Sequence, residues 1–268
     1  MSDFFSLLRL PSYPAVFWFV APVVVVLAGI SKAGFGGGVG TIATPLMALA
    51  IPVSEASAIM LPLLIVVDCF SVFHYRSRFQ RQTVLLLLSG AVAGIILGAC
   101  FFNYFIGNER MLKFGIGLLA VLFVAFQCLR GYIFGLLKQG GSNTFTGVLL
   151  GAMSGFTSTL VHAGGPPVAV YLLPKKLPRD LFVGTTVIFF AVVNVLKLIP
   201  YAALGLFRPA QAGVFLILLP MSFLGVRLGV FLNKRFSEEW FQRIIYTILL
   251  LTGVQLMMGK SVIQLLAG

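Results

Sequence analysis

Ala28-Gly-Ile-Ser-Lys-Ala-Gly-Phe-Gly-Gly-Gly-Val-Gly-Thr-Ile-Ala-Thr-Pro45 interrupts an apolar stretch that runs from residue 14 to residue 50. Glycine at this density breaks a helix and lets the backbone come close to a ligand. At membrane depth, unwound backbone is tolerated only where it is buried in protein or lines a wet cavity. A second stretch, Gly151-Ala-Met-Ser-Gly-Phe-Thr-Ser-Thr-Leu-Val-His-Ala-Gly-Gly-Pro-Pro167, repeats the pattern inside the apolar segment 143–173.

The rest of the chain leaves little choice of solvent. Of its 268 residues, 59% are hydrophobic and 10% charged, and the mean hydropathy is +1.05, so the apolar surface has to meet lipid. Further apolar segments fall at residues 57–73, 83–105, 112–129, 181–201, 209–232 and 240–258, long enough to cross a bilayer core. The first stretch lacks a small-residue cleavage site and reads as retained rather than as a signal peptide. A net charge of +12 would suggest nucleic acid in a soluble protein. Here the bases sit in short connections, where they orient the chain in the membrane, and no nucleic-acid partner is expected. Cys69, Cys100 and Cys128 are odd in number and widely spaced in apolar runs, which reads as packing. With no His-Cys cluster, neither a metal nor a cofactor is expected.

The two halves match beyond their interruptions. Asp68 and Tyr75 fall opposite Asn194 and Tyr201, and Gly94-x-x-x-Gly98 falls opposite Gly225-x-x-x-Gly229, pairs that let helix backbones approach closely. The sequence divides into an N-terminal segment 1–13, a first repeat 14–129, a cytoplasmic linker 130–142 and a second repeat 143–260, within one integral membrane domain. Equivalent loops carry opposite charge patterns. Arg76, Arg78 and Arg81 follow the second segment of the first half, and their counterpart has only Arg208; residues 51–56 hold Glu55 and no base, and their counterpart holds Lys175, Lys176 and Arg179. Placing 74–82, 130–142, 174–180 and 233–243 in the cytoplasm collects most of the 19 Lys and Arg residues there. Segment 143–173 then enters and leaves on one side, although a helix of that length rises only about 46 Å and two upright crossings need about 60 Å. The expected fold is therefore an all-α polytopic membrane protein of two inverted-topology repeats, each a re-entrant or short broken-helix hairpin followed by three transmembrane helices. The N-terminus would lie outside.

A helix restarting after each break would aim free N–H groups and a positive dipole end at the cavity, a setting for an anion. The candidate substrate contacts are Lys32, Gly36, Gly37, Gly38, Thr41 and Thr44 in the first hairpin, and Ser158, Thr159, His162, Gly164 and Gly165 in the second, with Asn194 and Arg227 beside them. Pro166-Pro167 suits a helix start. The alternative is that the glycines only let the hairpin tips cross, their hydroxyls bonding back to their own helices. Ionisable residues inside spans are costly and should face the interior or an aqueous path: these are Lys32, Asp68, Lys197 and Arg227. Lys197 and Arg227 could instead snorkel to an interface, and Lys197, three residues before Pro200, is divided between that and a substrate role. Asp68 and His162 are candidate proton carriers. No Gly-Lys-Ser/Thr follows the glycines, which excludes a nucleotide phosphate loop.

Gly29-Ile-Ser-Lys-Ala-Gly-Phe-Gly-Gly-Gly with Thr44-Pro-Leu, and His162-Ala-Gly-Gly-Pro-Pro-Val-Ala-Val-Tyr-Leu-Leu in the second copy, resemble the sulfite exporter TauE/SafE family over nearly the whole chain. Phe182-Val-Gly-Thr-Thr-Val-Ile-Phe-Phe and Asn194-Val-Leu-Lys resemble that family's second-half core. The resemblance implies a permease for sulfite, organosulfonates or other small organic anions. His162-Ala-Gly-Gly departs from a symmetric Gly-Gly-Gly pattern, so the two hairpins need not contribute equally.

Together these readings predict a multi-pass permease of the bacterial inner (plasma) membrane, not an enzyme. Its partners would be a small anionic substrate and membrane lipid, with a proton carried by Asp68 or His162 if transport is uptake, and self-association into a homo-oligomer is compatible with it. Rocking of the repeats would alternate access. Efflux of a monoanion down an inside-negative potential gains about 2.3 kcal/mol per charge per 100 mV, so an exporter needs no coupled ion. An anion channel, an intramembrane enzyme and a membrane scaffold are the rivals.

Overall fold

The computed structural model describes residues 11–35, 42–137, 143–233 and 238–259, and every α or β element among them is a helix. In chain order these are α1 (Ala15–Phe35), α2 (Ala43–Ala48), α3 (Val53–Tyr75), α4 (Arg81–Phe105), α5 (Glu109–Leu137), α6 (Thr144–Val161), α7 (Gly165–Leu172), α8 (Arg179–Ala203), α9 (Gln211–Asn233) and α10 (Glu238–Met258). The order repeats: a long helix, a short one, then three long ones. Local chemistry sets the starts. Pro52 and Pro178 precede α3 and α8, and Asn143 caps α6 by accepting from the Thr146 N–H, one of the orphan donors of a helix start.

Seven of these helices are long and apolar enough to cross a membrane, and α10 holds a shorter apolar stretch, Arg243–Met258. Phe19, Phe73 and Ile199 turn outward, each more than two-thirds exposed, as lipid-facing side chains do. The chain is a multi-pass α-helical membrane protein.

The helices flanking each interruption lie side by side as the limbs of a hairpin. After α6 ends, the carbonyl of Gly164 accepts from Ser154 Oγ at 2.7 Å, and a Cβ on Gly147 would meet the ring of Tyr171. The chain has therefore doubled back along α6. In the first half Phe17 packs in one cluster with Met47 and Ile51, and the Tyr13 hydroxyl donates to Glu55 at 2.7 Å, so α1 starts where α2 ends. The limbs are unequal, contrary to a hairpin of two short helices. One limb is of membrane length and the other is a single or double turn, because the glycines and prolines fall near the far end of each apolar run. The ends of the first hairpin gather with Glu55 and Arg208, whose Nη1 lies 2.9 Å from Glu55 Oε1. Those of the second gather at the other end of α3, where Arg78 pairs with Asp180 and Lys175 donates to Thr83 at 3.0 Å. Tyr13 keeps its proton at Glu55: burial, then the carboxylate beside it, push its pKa up.

The halves interlock rather than sit side by side. The most extensive helix contacts join α4 to α6 and α1 to α9, each pairing a helix of one half with a helix of the other, and α3 lies on α8. Small residues permit this. A Cβ on Gly94 would stand 1.9 Å from the Ala152 carbonyl oxygen, and one on Gly225 would stand 2.7 Å from that of Val26. Lipid offers helices little hydrophobic reason to associate, so backbone proximity and dispersion hold these pairs.

Candidate functional site

Where α1, α3, α6 and α8 meet, the side chains of Lys32, Asp68, Ser158, Asn194 and Lys197 are buried among apolar ones, and that of His162 is half-buried beside them. Lys32 Nζ lies 2.5 Å from Asp68 Oδ1. Asn194 donates to Asp68 Oδ2 at 2.7 Å. Lys197 Nζ donates to the Ser158 carbonyl at 3.0 Å and hydroxyl at 2.9 Å, and lies 2.8 Å from His162 Nδ1. The other ring nitrogen of His162 is 3.1 Å from the Ser57 carbonyl oxygen. Lys32, Ser158, His162, Gly165 and Asn194 share the wall of one small cavity with Ala28, Leu64 and Phe190, about 20 Å³ in volume, room for roughly one water. Larger crevices exist among the described residues, one of them lined by Leu97, Phe101, Tyr104, Ala152, Met153 and Phe156. That is an apolar groove on the lipid-facing surface with nothing to recognise a polar solute, so the small polar cavity is the candidate.

Helix periodicity builds this cluster. Asn194, Lys197 and Tyr201 fall at i, i+3 and i+7 on one face of α8, as Asp68, Ser71 and Tyr75 do on α3. Asp68 and Asn194, in mutual contact, are 126 residues apart. The same interval relates Lys32 to Ser158, Ser71 to Lys197 and His162 to Gly36. It also relates two tyrosine bonds: Tyr75 donates to the Ala33 carbonyl at 3.1 Å, and Tyr201 to that of Thr159 at 2.7 Å. The cation has changed sides between the halves. In the first it sits on the broken helix and meets a carboxylate on α3; in the second it sits on α8 and meets a serine on the broken helix.

That exchange decides the electrostatics. The Lys32–Asp68 pair is neutral as a unit. Lys197 is fully buried, and among the described residues it has no carboxylate within 4 Å, only the neutral acceptors of Ser158 and His162. A buried charge without an opposite one is expensive, so this position is poised to receive an anion. His162 adds a second strained feature: it ends α6 with φ 55°, in the left-handed region, which costs a non-glycine residue about 1–2 kcal/mol.

Of the residues expected from sequence, Lys32, Ser158, His162, Gly165 and Asn194 line the cavity, and Asp68 holds two of them. Gly164 packs against Ser154 and Phe190 just outside it. Thr159 bonds back to Gly155 at 2.8 Å, the behaviour expected of a packing hydroxyl. Thr44 is buried on α2, away from the cavity wall. Arg227 is not brought to the cluster: it is exposed on α9, its guanidinium carbon 5.2 Å from the Phe223 ring centroid. Gly36, Gly37, Gly38 and Thr41 lie outside the described residues. Lys197 is the residue that sequence reasoning left divided, and Ser57 the one it missed. The i, i+3 spacing of Asn194 and Lys197 was the available signal.

Broken membrane helices whose ends surround buried ionisable groups define a membrane transport protein. A family model described as Sulfite exporter TauE/SafE matches residues 21–256, and the chain belongs to that family, whose members are membrane transporters of sulfur anions. No curated protein and no solved structure matches the chain.

Proposed function

We propose that this protein is a secondary transporter that exports a small sulfur oxyanion, sulfite or an organosulfonate, across the bacterial inner membrane by alternating access, without enzymatic activity. The observation that carries the reading is Lys197, a buried cation held, among the described residues, only by neutral groups of Ser158 and His162, two residues of the cavity wall. The anion would displace one of those acceptors and sit against the Lys197 ammonium, with Asn194 and the Gly165 end of α7 beside it. Lys32 would be held in place by Asp68. Two inverted repeats, 14–129 and 143–260, account for the matched tyrosine bonds and for hairpins that open at opposite ends of α3. Because α1 is locked to α9 and α4 to α6, the bodies that move are these mixed pairs and not the repeats themselves.

A carrier suits the observations better than a channel. Among the described residues the cavity holds about one water, and an ion pair joins the halves at each end of α3, an arrangement closer to an occluded carrier than to an open pore. Flux of sulfite from proteoliposomes is the test. Wild type should saturate and show counter-flow, and Lys197→Ala and His162→Ala should each lose at least tenfold in rate. Unchanged flux in both variants would remove the site, and linear flux without counter-flow would make the protein a channel.

A further inference from the structure

Two contacts decide which nitrogen of His162 bears hydrogen. Nε2 faces the Ser57 carbonyl oxygen at 3.1 Å, an atom that only accepts, so Nε2 is the donor. Nδ1 faces the Lys197 ammonium at 2.8 Å, a group that only donates, so Nδ1 presents a lone pair. The ammonium has three hydrogens, and the Ser158 carbonyl, the Ser158 hydroxyl and Nδ1 take all three. An anion reaching Lys197 therefore has to replace an acceptor. His162 and Ser158 both line the cavity, so the lone pair on Nδ1 or the Ser158 oxygens would then confront the anion's oxygens. The Ser158 hydroxyl can turn and donate instead; the imidazole cannot, since turning it over would break the bond to Ser57. A hydrogen on the anion itself satisfies a freed Nδ1 without adding a second positive charge.

We infer, on the reading that this cavity is the anion site, that the preferred substrate is a monovalent oxyanion that keeps one O–H, which it donates to Nδ1 of His162 while its charged oxygens meet Lys197. No proton is transferred; the anion brings it and leaves with it. Charge supports the same choice. Lys32 and Asp68 cancel, and Lys197 leaves one positive charge for a monoanion to neutralise. Asp68 is not an equivalent acceptor, because it lies off the cavity wall and its charge is already met by Lys32 and Asn194. The groups facing His162 are thus Lys197 and Tyr201 from α8, Ser57 from α3 and Ser158 from α6, with the Lys32–Asp68 pair beyond them. A sulfonate, which has the charge but no hydroxyl, would leave Nδ1 facing an oxygen.

Calorimetric titration of the detergent-purified full chain with selenite, sulfite and methanesulfonate, on both sides of the second ionisation of selenite and of sulfite, tests this. Hydrogen selenite and hydrogen sulfite should bind, losing about tenfold in affinity per pH unit once they ionise, and methanesulfonate should bind at least about tenfold more weakly. In His162→Gln, whose amide can donate as well as accept, that preference should collapse to within about twofold. Methanesulfonate binding as tightly as hydrogen selenite in the wild type, without a pH slope, overturns the inference and leaves the transport reading intact. So does a preference that survives in His162→Gln. Binding of none of the three anions overturns the transport reading, and the inference with it.

Discussion

Lys32 and Asp68 are worth more to each other than either is to the fold. Removing one partner of a buried pair leaves the other charge stranded, which costs about 3–5 kcal/mol, whereas replacing both with apolar side chains of similar volume is often neutral. Lys32→Met should therefore lower the thermal transition sharply, and Lys32→Met with Asp68→Leu should recover most of it, as read by melting in detergent. At His162 strain and function separate. His162→Gly relieves the left-handed backbone while His162→Ala does not, so the glycine variant should be the more stable by about 1–2 kcal/mol and melt at the higher temperature, with flux lost in both. Sequence showed Lys32, Asp68, Asn194 and His162, because buried ionisable or amide groups in apolar runs stand out. It left Lys197 divided, since the acceptors that define its role lie 35 and 39 residues away. It left Arg227 between the site and an interface, because α9 is apolar around most of its circumference, and such a helix does not say which face turns inward.

The helices associate through glycine, and the positions are not interchangeable. A Cβ at Gly90 would stand 1.8 Å from the Val148 carbonyl oxygen, and one at Gly151 would stand 2.1 Å from that of Leu87, while at Gly115 a Cβ meets nothing within 4 Å. Gly90→Ala and Gly151→Ala should force α4 and α6 apart at a cost of about 1–3 kcal/mol or more. Gly115→Ala should be neutral or slightly stabilising, since it also raises helix propensity. Yield of monodisperse protein after detergent extraction measures both. The Gly-x-x-x-Gly pairs were legible as packing devices. Their partners were not, because a small-residue stripe fixes how closely a helix can be approached and leaves open which helix approaches.

Across the whole molecule, an ion pair couples the halves at each end of α3. Arg78–Asp180 is more than half exposed on both sides, so it is worth about 0.2–1 kcal/mol. Glu55, much less exposed, holds both Arg208 and Tyr13 and should matter more. Neutralising one pair should open the cavity toward that face, read as faster modification of a cysteine placed at Ala163 by an impermeant thiol reagent added on that side alone. Glu55→Gln and Asp180→Asn should act in opposite senses. The interlocking of the halves was not legible in sequence, because no charge or periodicity encodes which long helix crosses into the other half. That interlocking bears on biogenesis. When the first half leaves the ribosome, the glycine faces of α1 and α4 have no mates, and they stay bare to lipid until α6 and α9 are inserted. The nascent chain must wait in the bilayer half-assembled, open to chaperones and proteases, and two separately synthesised halves should each be short-lived alone yet persist when made together.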